Sequence, residues 1–156
     1  GMIDQSEGHV VNIASAAGLI SNPNMSVYAA SKWAVIGWSD SLRLEMERDN
    51  TGVQITTVMP SYIDTGMFDG VKPPLFTPTM KPDYIVDKIM EAVKNNEIIL
   101  QEPFMVKSLP LLKGVLPQRA FDFLAGKIFG VHQSMNKFSG RPSKEAVPEK
   151  EELAAK

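Results

Sequence analysis

Residues 26–35 read SVYAASKWAV, an alanine-rich run in which Tyr28 and Lys32 stand four apart. On a helix that spacing puts both side chains on one face, a turn from each other. A free phenol titrates at about pH 10. An ammonium close by favours the phenolate and draws that value toward neutrality. A tyrosine so placed can give or take a proton at a reacting oxygen. Taken alone, such a pair is more often a core tyrosine with a wet tip and a solvated lysine, so its surroundings decide.

Upstream, His-Val-Val-Asn-Ile-Ala at 9–14 is a short β-branched run after the turn residues Glu7 and Gly8. It reads as a buried strand. Ser15 stands at its end, where open α/β sheets place their sites, and its hydroxyl can hold a substrate oxygen. Residues 15–24 are small and loop-like, with an Asn-Pro-Asn turn at 22–24. Ser26 is the expected N-cap of a helix to about Arg48. Within it Val35, Trp38, Leu42 and Met46 recur at helical spacing, and Asp40, Arg43, Glu47 and Arg48 mark the wetter side.

The run VQITTVM at 53–59 is a second buried strand, stopped at Pro60. Strand, helix and strand in this order predict a crossover in a parallel sheet. Residues 61–80 are irregular and rich in Pro, Gly and Met, a long loop of the functional kind. Lys81-Pro82-Asp83 opens a helix to about Asn96, with Ile85, Ile89 and Val93 on one face, and EIILQ at 97–101 is a third strand. Residues 104–131 are apolar but interrupted by Pro110, Gly114, Pro117, Gly126 and Gly130, a pattern of short packed helices. From Ser139 the composition turns to Pro, Lys, Glu and Ala, so a domain over 1–138 and a disordered tail over 139–156 are expected.

The chain has 156 residues, 44% hydrophobic and 22% charged, within ordinary globular usage. A net charge of −2 offers no reason to expect nucleic acid as a partner. With no cysteine, disulfides and thiolate metal sites are excluded, and no metal site is expected. The start Gly1-Met2-Ile3-Asp4 has no signal-peptide pattern, and its glycine resembles the scar of a cleaved tag. No apolar run is long enough to span a bilayer clearly. The expectation is a cytoplasmic protein, with peripheral membrane contact through 104–131 as the other reading.

Three stretches, VVNIASAAG at 10–18, YAASK at 28–32 and VMPSYIDTGM at 58–67, together resemble the short-chain dehydrogenase/reductase family. That family has a strand ending in serine, a Tyr-x-x-x-Lys helix 13 residues on, and a strand followed by proline and a Thr-x-Met-like loop; Ser15 and Tyr28 have that spacing. The resemblance covers 8–102 well. It implies an α/β fold, the C-terminal part of a Rossmann-type doubly wound parallel sheet, and hydride transfer between NAD or NADP and an alcohol or ketone. Tyr28 would be the catalytic acid/base, Lys32 its partner and a ligand of the nicotinamide ribose, and Ser15 the substrate-oxygen donor. Ile63 and Thr65 would meet the nicotinamide carboxamide, with Pro60 and Ser61 shaping that wall. Ser61 departs from the family's usual glycine. IDTGMF at 63–68 and MNKFSGR at 135–141 look like the retinol and hydroxysteroid branch, which implies a large apolar alcohol or ketone.

A dinucleotide site of this kind needs a glycine-rich turn before its first helix, and the sequence contains neither Gly-x-x-x-Gly-x-Gly nor Gly-x-Gly-x-x-Gly. The expectation is therefore a partial domain without its pyrophosphate-binding half. Its uncovered sheet edge and helix face, with Trp33, Trp38 and Met46 available, predict a homo-oligomer. A catalytically inactive oligomerisation or interaction module is the competing reading, and a lipid-binding module built on 104–131 a third.

Overall fold

The computed structural model describes residues 1–139 of the chain; all but the first residue of the expected 139–156 tail lies outside the described residues. The elements are α1 (Met2–Gln5), β1 (Gly8–Ile13), α2 (Ser26–Arg48), β2 (Val53–Pro60), α3 (Pro82–Lys94), β3 (Ile99–Glu102), α4 (Phe104–Val115) and α5 (Gln118–Phe123). The three strands form one parallel sheet in the order β1-β2-β3. The fold is the expected α/β one.

Neighbouring residues of a strand face opposite sides of the sheet, and here the two sides take different helices. Val11, Val58 and Leu100 pack with Ile89 and Ala92 of α3. On the other face, Asn12 donates from Nδ2 to Ser39 Oγ of α2 at 2.9 Å. Ser39, wholly buried, passes its own proton to the Val35 carbonyl at 2.6 Å. Its small side chain and satisfied hydroxyl let α2 lie close to the strands.

The expected and observed boundaries differ by one or two residues for local reasons. The Glu97 amide bonds back to the Ala92 carbonyl at 2.9 Å, so Glu97 closes the end of α3 and the strand begins only at Ile99. Ser26 is not the N-cap of α2: Met25 holds that position, because its carbonyl accepts the Ala29 amide at 2.7 Å and starts the ladder one residue earlier. Pro110 lies inside α4 rather than breaking it. Proline forgoes one N–H bond, and Pro110 is on the exposed side.

The buried face of α2 also needs correction. Ala29 and Ser39 are its buried residues, whereas Trp38 is 57% exposed. Arg43, assigned to the wet side, is half-buried, and its Nε has no hydrogen-bond partner among the described residues. The helical period is right and the phase is shifted, because close packing on the sheet selected small residues over large ones.

Val58 is fully buried in the cluster under α3. Replacing it by alanine should lower the free energy of unfolding by about 2 kcal/mol or more, through lost methyl burial and the cavity left behind. Val27→Ala, at a position 83% exposed, should change it by less than about 0.5 kcal/mol. Urea unfolding of the two variants checks the pair of values.

Candidate active site

Ser15 lies two residues beyond β1, capping a single 3-10 turn over Ala16–Gly18. Its Oγ accepts the Ala17 amide at 3.1 Å and donates over 3.4 Å to the Pro60 carbonyl at the end of β2. The serine therefore sits at the carboxyl ends of the parallel strands, where such sheets hold ligands. Gly18 brings this turn onto α2. A Cβ at Gly18 would stand 2.9 Å from the Lys32 carbonyl oxygen and 2.5 Å from Ile36 Cδ1, so only glycine permits the approach.

Tyr28 occupies the first turn of α2, with Lys32 one turn on. The Lys32 ammonium donates to the Ile13 carbonyl at 2.9 Å and lies 5.7 Å from the centroid of the Tyr28 ring. The lysine is thus tied to the last residue of β1, holding its charge beside the tyrosine. The Tyr28 hydroxyl makes no hydrogen bond among the described residues and so is available to a ligand.

Ser15, Tyr28 and Ser61 line one cavity of about 880 Å³, counting the solvent at its mouth. Its far wall comes from the C-terminal helices, with Leu109 and Leu112 of α4, Phe121 of α5, and Phe129 beyond it. The other expected positions, Lys32, Pro60, Ile63 and Thr65, are not among the lining residues of that cavity. Ser61 spends its amide on the Glu102 carbonyl at 2.8 Å. Ile63 forms a short β-bridge with Met80, made by the Asp64 amide on the Met80 carbonyl and the Met80 amide on the Tyr62 carbonyl, each at 2.9 Å. The Ile63 amide has no hydrogen-bond partner among the described residues. An unpaired backbone donor beside Thr65, together with a lysine ammonium, is a donor set that fits a carboxamide and a ribose of a nicotinamide cofactor.

Three polar residues of the cavity region were not singled out by sequence. Asn22 Nδ2 and Tyr62 Oη meet at Ser134 Oγ, at 2.8 Å and 2.9 Å. Burial raises the Tyr62 phenol above its ordinary value, partly offset by hydrogen bonds involving Ser134 and Asn22, and the nearby Tyr28 adds to the rise. Tyr62 could have been noticed from its place in the loop after Pro60. No local signal marks Ser134, which lies 112 residues from Asn22.

The family model described as short chain dehydrogenase matches residues 1–74. The mouse protein named epidermal retinol dehydrogenase 2 is 35% identical over 92% of this chain and 47% of its own length. Human retinol dehydrogenase 10 is 34% identical over 76% of this chain and 36% of its own. Over the part it spans, the chain belongs to the short-chain dehydrogenase/reductase family. It spans less than half the length of these relatives. The solved structures agree on the fold. A short chain dehydrogenase from Burkholderia cenocepacia in complex with NADP superposes with a TM-score of 0.64 at 22% identity, over 77% of this chain and 48% of that one. One from Sphingobium yanoikuyae in complex with NADPH gives 0.60 at 26% identity, over 72% of this chain and 44% of that one.

The raised Tyr62 phenol sets a pH dependence. The folded state holds this proton more tightly than the unfolded chain, in which tyrosine titrates at about pH 10. The resulting stability is complete below that pH and is lost as pH rises through the higher folded value. Tyr62→Phe should remove a late-titrating component from the 295 nm absorbance of the chain's three tyrosines. It should also flatten the alkaline loss of stability.

Proposed function

We propose that this chain is the substrate-side half of an NAD- or NADP-dependent dehydrogenase acting on an alcohol or ketone with a large apolar body, such as a retinoid or a steroid. The observation that carries the reading is the convergence of the Ser15 and Tyr28 hydroxyls on one apolar cavity, with Lys32 held behind them by Ile13. Two retinol dehydrogenases among the relatives support the substrate class. Cofactors named in solved relatives support a nicotinamide dinucleotide without selecting one form.

In this reading Tyr28 passes a proton to or from the substrate oxygen, which Ser15 steadies with a hydrogen bond. Lys32 would reach the ribose hydroxyls, Ile63 and Thr65 would face the carboxamide, and Pro60 and Ser61 would border it. A bound nicotinamide would supply the hydride acceptor or donor. The wall of Leu109, Leu112 and Phe121 holds the apolar body and keeps water from the reacting carbon.

In the whole protein, Tyr28→Phe should lower kcat for an apolar secondary alcohol at least about a hundredfold while folding survives, since a positioned general acid contributes that much or more. Retention of a tenth of the rate would remove Tyr28 from this role. Lys32→Ala should weaken cofactor binding by the whole protein, as read by NAD(P) titration.

A second reading, an inactive association module, draws on α2, where Trp38 is 57% and Leu44 56% exposed. Both readings predict that the isolated chain associates through α2 or the open β1 edge. It should bind NAD(P) only in the millimolar range, about −4 kcal/mol. Light scattering and cofactor titration check these values. Turnover by the whole protein separates the two readings. A peripheral lipid contact through 104–131 would appear as vesicle binding independent of cofactor; no helix among the described residues is long and apolar enough to cross a membrane.

A further inference from the structure

We propose that the widened helical turn over Leu124–Ile128 is the size gauge of the cavity, and that Phe129, which this turn delivers to the wall, limits the apolar body of the substrate. The proposal rests on reading the cavity as the substrate site and adds which side chain sets its reach.

The Phe129 amide bonds at 3.0 Å to the Leu124 carbonyl, five residues back. This turn therefore holds one residue more than an α-helical one. Phe121, Leu124 and Ala125 face the cavity, and in a regular helix Ile128 would come next at the centre of that face. The extra residue shifts the phase. Ile128 is 52% exposed and is not among the lining residues, whereas Phe129 is. Single turns of this kind are rare and gather at functional sites. Gly126, within the turn, is buried, and a Cβ there would run into the His132 ring. Glycine at that position lets the wide turn lie against the ring.

The Phe129 backbone is held on both sides. Its amide is on Leu124, and its carbonyl accepts the Leu75 amide at 2.9 Å. Leu75 also lines the cavity, so Phe129 stands where the loop over 61–80 meets the C-terminal wall. The rest of that wall is core. Ile20, Phe121 and Ala125 form one buried cluster, with Leu109, Leu112 and Val131 packed against it. Truncating any of these would hollow the core together with the cavity. Phe129 is half-buried and lies outside that cluster, so its ring occupies cavity space without carrying the core. An apolar body that reaches past this point meets the ring, and a shorter one leaves contacts unmade.

The test is calorimetric binding of the 2-alkanols from hexan-2-ol to dodecan-2-ol to the whole protein without turnover. Affinity should rise about fourfold with each added methylene and level off at the member whose chain meets Phe129. Phe129→Ala should let the rise continue, so that the second alcohol past the wild-type break gains about tenfold or more. Ile128→Ala should leave the series unchanged, although the helical period alone would put that residue on the wall. If Phe129→Ala fails to fold by circular dichroism, Phe129→Leu should move the break in the same direction by less. A break unmoved by the Phe129 variants, a break moved as far by Ile128→Ala, or no binding or levelling in the wild type would overturn the gauge. A break that moves with Phe129 in a protein that oxidises none of these alcohols with NAD(P) supports the gauge and overturns the dehydrogenase reading. Turnover with the break unmoved does the reverse.

Discussion

The hydrogen bond from the Lys32 ammonium to the Ile13 carbonyl joins the two elements on which everything else is built. It ties the helix that carries Tyr28 to the strand that leads to Ser15. Two other close approaches keep that junction tight. Gly18 lies against the Lys32 backbone with no room for a Cβ, and Asn12 reaches Ser39 from the strand below. Each is short-range and each fails if α2 retreats by an ångström. A serine at a strand end and a tyrosine in a first helical turn meet at one cavity because the seam between β1 and α2 is this closely packed.

The cavity itself is assembled from segments far apart in the chain. Its floor comes from the ends of β1 and β2, and its far wall from α4, α5 and the turns after them. Several contacts clamp the wall to the floor. Tyr62 packs edge-on against Phe68, with ring centroids 5.2 Å apart, and donates to Ser134 across 72 residues of sequence. The Lys113 ammonium lies 3.9 Å from the centroid of Trp33 and donates to the Leu19 carbonyl, joining α4 to α2 and to the turn after Ser15. Burial lowers the Lys113 ammonium below its ordinary value, which is the electrostatic cost of that clamp. Trp33, an expected surface for association, is thus partly engaged within the chain.

The polar links within the sheet follow the same economy of protons. Thr56 gives its hydroxyl proton to the Glu97 carbonyl at 2.6 Å, so His9, 2.8 Å from that hydroxyl, must carry its proton on Nε2. One line of hydrogen bonds then runs from β1 through β2 to the segment before β3. No pattern of hydrophobic residues announces it, and yet it satisfies side chains that would otherwise be left unpaired in a half-buried layer.

What the sequence by itself determined is whatever depends on local spacing. Strands at 9–14 and 53–59, the long helix carrying Tyr28 and Lys32, the parallel order and the family resemblance all follow from periods, turn residues and short motifs, which are physical properties of neighbouring residues. The loop over 61–80 was legible for the same reason. Tertiary structure alone decided the phase of α2, because Ser39 rather than Trp38 faces the sheet only once Asn12 is there to meet it. It also decided that Pro60, Ile63 and Thr65 stand off the cavity that Ser15 and Tyr28 share. The union of Asn22, Tyr62 and Ser134 was likewise its work, since hydrogen bonds between residues this distant in the chain exist only after the backbone has brought them together, and a sequence carries no period for such a meeting.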